Sequence, residues 1–392
     1  MKHDPHVDVR RDYFPGLTGL RGIAACWVML FHLWMQAAQP RVNLLGLDLT
    51  PLFSCGYLGV DLFFVLSGFL LGLPFLAWAN RMRPMPNLVR FWKRRCLRVL
   101  PAYYIQLAIL ILAGFAVSGV WPVDLRHLLA YLSMEFVFVD GISPMLNGVW
   151  WTLPIEWNFY LVLPLLGLAF ARARGWLVAL GVLVAVLAFR VLCYELLLAN
   201  RAFGPLSYPA IIQLPGRLDE FVFGMLAAWF HLRRKAPTPR RDLALLLLGI
   251  TGVIGLLRGL DGRGDIFATG DTRWIFTYAT CAGASLALIV HAAAARVRLA
   301  DRLFGGRALA FLGTISYSLY LWHAVVIQVA ARSGFSQWPP IASLGGLAFA
   351  LIPIVLVVAW ISYRLTEHPF LITAPAARRE QELGRSEPNP SR

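Results

Sequence analysis

Apolar stretches of helical span length recur along this chain, near residues 17–38, 57–78, 99–120, 150–170, 176–199, 213–232, 242–258, 273–292, 308–332 and 341–363. A helix rising about 1.5 Å per residue needs roughly 17 to 25 residues to cross a hydrocarbon layer about 30 Å thick, and each stretch is near that length. The pattern predicts ten transmembrane helices. An eleventh candidate, DLRHLLAYLSMEFVFV at 124–139, is shorter and carries His127 and Glu135. Its status sets the side of every later loop. With the amino terminus inside, the inner loops gather seven Lys and Arg in 80–98, five in 231–241 and four in 293–307. The outer segments hold only Arg41, Arg126, Arg201, Arg258, Arg263 and Arg332. A crossing at 124–139 would move the basic loops 171–175, 231–241 and 293–307 outside, against the preference of Lys and Arg for the cytoplasmic face. The stretch is therefore expected to be a re-entrant or interfacial helix on the outer side, with both termini cytoplasmic.

Composition agrees with this pattern. The 392 residues are 58% hydrophobic and 15% charged, with a mean hydropathy of +0.64, beyond what a soluble surface needs. The chain reads as all-α and polytopic. A net charge of +15 would point to nucleic acid in a soluble protein. Here it follows from where Lys and Arg fall relative to the spans, and no nucleic-acid-binding motif accompanies it. Cys26, Cys55, Cys96, Cys193 and Cys281 are dispersed, without C-x-x-C or metal-ligand spacing, so neither a disulfide framework nor a metal site is expected. Three regions follow: a polar cytoplasmic tail at 1–16, a membrane domain at 17–370 and a disordered cytoplasmic tail at 371–392. The basic amino terminus leads into an apolar run with no A-x-A cleavage site, so that run is expected to be a retained span.

Arg21 and His32 stand eleven residues apart in the first span. On a helix that spacing puts both side chains on one face, about 16 Å apart in depth. An ionisable group in a span costs at least about 2.5 kcal/mol and usually faces the bundle interior, at a pathway or a reaction centre. The competing reading is that Arg21 snorkels to the surface and His32 bonds a carbonyl. Asp61 is the only acid in GYLGVDLFFVLSGFLL at 56–71. RFWKRRCLRVLP at 90–101 places Arg95 and Arg98 at i and i+3, where two guanidinium forks on one side can clamp phosphate oxygens. Anionic lipid and topology would also account for cations there. Glu156 follows in VWWTLPIEWNFYLVLPLL, and Arg217, Asp219 and Glu220 in RLDEFVFGMLAAW, where a local ion pair competes with acceptor binding. LGTISYSLYLWH then brings Ser316, Tyr317, Tyr320 and His323, and ISYRLTEHPF closes the membrane domain.

Taken in order over nearly the whole chain, these segments resemble the acyltransferase 3 family of bacterial membrane O-acyltransferases. The family's arginine-ten-residues-histidine signature matches Arg21 and His32, its R-x-x-R signature Arg95 and Arg98, and its tryptophan-to-glutamate stretch Trp151 and Glu156. The resemblance implies an inner-membrane enzyme of ten spans that moves an acyl group from cytoplasmic acyl-CoA to a hydroxyl of a carbohydrate or glycolipid acceptor. Acetyl-CoA is the expected co-substrate, and no permanently bound cofactor is expected. The membrane domain would then be the acyltransferase 3 domain. The sequence departs from the family pattern at Glu367-His368-Pro369-Phe370, where an arginine is more usual before the proline, and no SGNH-type esterase domain is expected after the membrane domain.

The residues support the same chemistry. An alcohol attacks a thioester only when its proton has a destination, and the neutral imidazole of His32 can take it. A buried acid beside it, Asp61 or Glu156, would hold its tautomer, since the spans place all three in the outer half of the bundle. Those acids would otherwise bond neighbouring helices or a tyrosine. Arg21 would guide the pantetheine arm or an acyl carbonyl inward of His32. Ser316, Tyr317, Tyr320 and His323 would line the acceptor cavity, with His323 a rival base. The alternative function is a transporter of acyl groups, lipids or glycan intermediates. Such a transporter of inverted-repeat type would show paired broken helices in its two halves, and the sequence carries no such symmetry.

Overall fold

The computed structural model describes residues 14–140, 146–195, 207–234, 236, 238–260, 278–331 and 339–370. The tails 1–13 and 371–392 lie outside the described residues. In chain order the helices are α1 (Pro15–Gln36), α2 (Thr50–Ser54), α3 (Leu58–Ala79), α4 (Leu88–Ser118), α5 (Leu125–Ser133), α6 (Val137–Asp140), α7 (Leu153–Arg172), α8 (Gly175–Cys193), α9 (Ser207–Ile212), α10 (Leu214–Leu232), α11 (Pro239–Leu260), α12 (Ala279–Ala294), α13 (Arg298–Phe304), α14 (Arg307–Thr314), α15 (Ser316–Ala331) and α16 (Pro340–Thr366). A two-residue antiparallel hairpin, Asn43–Leu44 with Leu47–Asp48, follows α1. The fold is otherwise all-α.

Among the described residues seven helices are long and apolar enough to cross a membrane: α1, α3, α4, α7 with the turn before it, α8, α11 and α16. The count reaches nine if each of two bent pairs, α12 with α13 and α14 with α15, is one span. The chain is thus a polytopic membrane helix bundle. Of the other stretches read as spans, 213–232 forms the 19-residue α10, whose Arg217, Asp219 and Glu220 are all buried. The stretch 308–332 is not one helix. α14 and α15 meet at 74°, where Gly313, Thr314 and Ile315 are poor helix formers in succession and Thr314 Oγ1 bonds back to the Ala310 carbonyl. The doubtful stretch 124–139 contains only the nine-residue α5 and the four-residue α6. At 1.5 Å per residue, α5 covers about half of a bilayer's hydrocarbon core.

The helix boundaries follow from local chemistry. Asn87 caps α4 by accepting from Arg90 N–H, Asp124 caps α5 by accepting from His127 N–H, and Gly119 ends α4 with φ +72°. α3 and α10 form the centre of the bundle and pack tightly against each other. A Cβ on Gly68 would collide with the Phe221 carbonyl oxygen, and one on Gly224 with that of Val65, so the two backbones meet only because both positions are glycine. Gly68→Ala is expected to lower the thermal unfolding midpoint of the detergent-solubilised protein, since overpacking costs about 1 to 3 kcal/mol. An unchanged midpoint would show that the two helices can part freely. By contrast α4, α8, α11 and α16 expose large apolar side chains such as Leu112, Val184, Leu248 and Phe349, which suits a face toward lipid.

Candidate active site

Five helices converge on a cavity of about 390 Å³ including its mouth. α1 brings Arg21, α3 Ser67, α4 Arg95 and Arg98, α7 Glu156 and Tyr160, and α15 Tyr317. Ser67 Oγ and Tyr160 OH donate to the same oxygen of Glu156, at 3.1 and 2.6 Å. Arg98 Nη1 lies 2.5 Å from Glu367 Oε2, and Ser318 Oγ donates to the other Glu367 oxygen at 2.5 Å. One ion pair therefore ties the R-x-x-R helix to both carboxy-terminal motifs. Arg21 and Arg95 make no ion pair among the described residues, and Arg95 Nε is buried without a partner. Three guanidiniums face one carboxylate in this lining, and with Glu367 counted one positive charge remains in excess. The lining is therefore net cationic.

Glu156 lies with Arg21, Arg95 and Arg98 instead of beside His32. The stretch from 150 does not begin as α-helix. Gly148–Thr152 is a 3₁₀ turn, capped by the Asn147 side chain and held by Tyr320 OH, which donates to Val149 O at 2.8 Å and lies 2.9 Å from Thr152 Oγ1. α7 therefore starts inside the bundle, and its first turn brings Glu156 beside the cavity that Arg21, Arg95 and Arg98 line. Residues the sequence reading passed over support that turn. Gln106 of α4 and Asn147 both donate to the Leu321 carbonyl, at 2.7 and 2.9 Å, and Trp150 Nε1 donates to Gln106 Oε1 at 2.8 Å. The available signal was Gln106, a lone amide in an apolar run.

His32 is not among the residues lining the cavity. Its Nδ1 lies 2.9 Å from the Val28 carbonyl oxygen and 3.2 Å from Nε2 of the fully buried His323. The neighbour of the imidazole is thus another imidazole, and neither Asp61 nor Glu156 hydrogen-bonds to it. Tyr317 OH donates to Val99 O at 2.9 Å, and Ser316 Oγ is buried without a partner. Two of the four residues read as acceptor ligands, Tyr317 and Tyr320, therefore use their hydroxyls to join helices.

Asp61 belongs to a separate buried cluster. Tyr278 OH donates to Asp61 Oδ2 at 3.1 Å, and Arg217 Nη2 lies 3.3 Å from Oδ1. Arg217 Nε is also 3.2 Å from Glu220. Next to them Arg190 donates to both oxygens of Asp219, at 2.8 and 3.0 Å, and to Gly216 O. Thr280 Oγ1 donates to Asp219 Oδ2 at 2.7 Å. These contacts join α3, α8, α10 and α12. The sequence reading of Arg217, Asp219 and Glu220 included a local ion pair, and the structure shows that pair extended by Arg190 and Asp61 into a network.

Comparison with known proteins places this architecture. The acyltransferase domain family, acyltransferase 3, matches residues 14–364. The chain belongs to the acyltransferase 3 family. As a member it is an acyltransferase. It is 29% identical over 342 residues to the exopolysaccharide production protein ExoZ of Rhizobium meliloti, covering 83% of this chain and 93% of that protein. It is also 29% identical over 378 residues to the acyltransferase MdmB of Streptomyces mycarofaciens, covering 91% of each. A putative O-acetyltransferase of Staphylococcus aureus strain COL is 24% identical over 377 residues, and there the alignment spans 91% of this acyltransferase 3 chain but 57% of the relative. No solved structure matches.

Proposed function

We propose that this acyltransferase crosses the inner (plasma) membrane ten times, with both termini cytoplasmic, and moves an acetyl group from acetyl-CoA to a hydroxyl of a carbohydrate acceptor in an envelope polysaccharide, exopolysaccharide or glycolipid. The observation that carries the donor is the cationic cavity: coenzyme A brings a pyrophosphate and a 3′-phosphate, and Arg21, Arg95 and Arg98 offer guanidinium donors for them. The carbohydrate acceptor is supported by the name of the Rhizobium relative, and acetyl by that of the Staphylococcus relative. In this reading the pantetheine arm runs from the Arg21 end of α1 toward His32, eleven residues further along the same helix.

The acceptor oxygen attacks the thioester carbonyl while its proton passes to His32. The tetrahedral intermediate expels the coenzyme A thiolate, which recovers that proton, so a C–O bond replaces a C–S bond with no other reactant. Glu156 balances the guanidiniums of the donor chamber, Tyr317 lines it, and Asp61 anchors α3 to α10. Ser316, Tyr320 and His323 border the acceptor side. The decisive assay incubates purified protein with labelled acetyl-CoA and candidate glycans, and follows free coenzyme A and acetylated sugar. Passage of a substrate across proteoliposomes without turnover would overturn the reading in favour of transport.

The two arginines of the R-x-x-R pair are expected to fail differently. Arg95→Gln removes phosphate donors only and should raise the acetyl-CoA KM about tenfold, the equivalent of one charge-assisted hydrogen bond, with little change in kcat. Arg98→Gln also strands Glu367, so its unfolding midpoint should fall as well. Equal behaviour of the two variants in kinetics and thermal unfolding would refute this division.

A further inference from the structure

We propose that His323 is a positioning residue that shares the His32 Nδ1–H with the Val28 carbonyl and so holds the His32 ring with Nε2 free to accept a proton, a role that rests on the reading of His32 as the base. Three hydrogen bonds carry the inference. A carbonyl oxygen can only accept, so the 2.9 Å contact of His32 Nδ1 with Val28 O puts the hydrogen on Nδ1. The neutral ring then has a bare lone pair at Nε2. The same logic applies to His323, whose Nδ1 lies 3.1 Å from Leu319 O and whose Nε2 is therefore also bare. The 3.2 Å approach of His323 Nε2 to His32 Nδ1 has one consistent direction: His32 donates and His323 accepts. Each ring is thus fixed by the carbonyl four residues before it on its own helix, and the two fixed rings are complementary.

The surroundings hold this arrangement. His323 is fully buried, with the two imidazole centroids 5.0 Å apart and the Tyr320 ring 5.7 Å from that of His323. Tyr320 is in turn pinned by its hydroxyl to the 3₁₀ turn. His32 is only partly buried, and its Nε2 makes no hydrogen bond among the described residues. That atom is the one left to meet an acceptor hydroxyl. When it takes the proton, the imidazolium keeps two acceptors for its Nδ1–H, the Val28 carbonyl and His323 Nε2, and both bonds become charge-assisted. A neutral imidazole here does what a carboxylate does in a serine-protease triad, orienting the base and supporting its charged form.

The test uses the full-length protein in lipid nanodiscs, with acetyl-CoA and envelope glycan from cells lacking this gene. His323→Leu removes the acceptor and is expected to lower kcat at least about tenfold, with the acetyl-CoA KM within about twofold of wild type. His323→Gln offers a carbonyl oxygen to Nδ1–H and should recover most of that loss. In a His32→Ala background His323→Leu should have no further effect. Nitrogen-15 NMR of histidine-labelled wild-type protein, with His32→Ala to assign the signals, should show His32 protonated at Nδ1 and bare at Nε2, a readout that does not need the leucine variant to fold. A His32 found as the other tautomer, full kcat in His323→Leu, or a glutamine variant no better than leucine would each overturn the role. If His32→Ala itself stays active, the base assignment falls. If it is inactive while His323→Leu turns over normally, only the positioning role falls.

Discussion

Replacing His32 with alanine is expected to reduce acetyl transfer by at least about 100-fold, the lower end of what a positioned general base contributes. The protein should remain folded. His32 is only partly buried, and its hydrogen bonds are one to its own helix and one to His323. Its loss opens no large cavity in the core. The donor KM should change little, because Arg21, Arg95 and Arg98 line a chamber that does not include His32. The variant should therefore still bind acetyl-CoA, measurable by isothermal titration, while coenzyme A release and glycan acetylation both stop. Near-normal turnover with unchanged binding would remove the imidazole from the reaction and leave the buried His323 as the other histidine beside it among the described residues.

The parts of the site that were legible in the sequence are those that are costly in lipid. Arg21, His32, Asp61 and Glu156 stand out because an ionisable side chain within an apolar span needs a reason to be there, and helical spacing alone puts Arg21 and His32 on one face. Arg95 and Arg98 stand out as a local cluster. What escaped the sequence is pairing between distant segments. Nothing near Asp61 points to Arg217 and Tyr278, nothing near Arg98 points to Glu367, and His323 reads as a rival base with nothing in its position that points to His32. Breaks in the α-helical backbone also gave some residues neighbours that span positions alone do not suggest. The 3₁₀ turn at Gly148–Thr152 brings Glu156 beside the arginines, and the 74° break at Ile315 makes Tyr317 a first-turn residue of α15 instead of one deep in a longer helix. A hydropathy window averages over such breaks and cannot see them.

Arg217→Met is expected to destabilise the protein by about 3 to 5 kcal/mol, the usual cost of stranding a buried partner. Asp61→Asn should cost far less, and the difference follows from a charge count. Asp61, Asp219 and Glu220 face Arg190 and Arg217, and all five side chains are buried. The cluster holds one more acid than base. Removing Arg217 leaves Asp61 and Glu220 with no cation of their own among the described residues, since the guanidinium of Arg190 is committed to Asp219. Removing the charge of Asp61 leaves Arg217 with Glu220 and Arg190 with Asp219, two matched pairs, and the asparagine oxygen can still accept from Tyr278 OH. Thermal unfolding in detergent should therefore rank wild type close to Asp61→Asn and well above Arg217→Met. The same asparagine variant separates two roles for this aspartate. As an anchor between α3 and α10 it can lose its charge with turnover within a few-fold of wild type, whereas a charge needed in the reaction would show as a collapse of kcat in a protein that unfolds normally. The reverse stability order would mean that the excess acid is balanced by a group outside these five, and the cluster would then be open to solvent or ions in a way its burial does not imply.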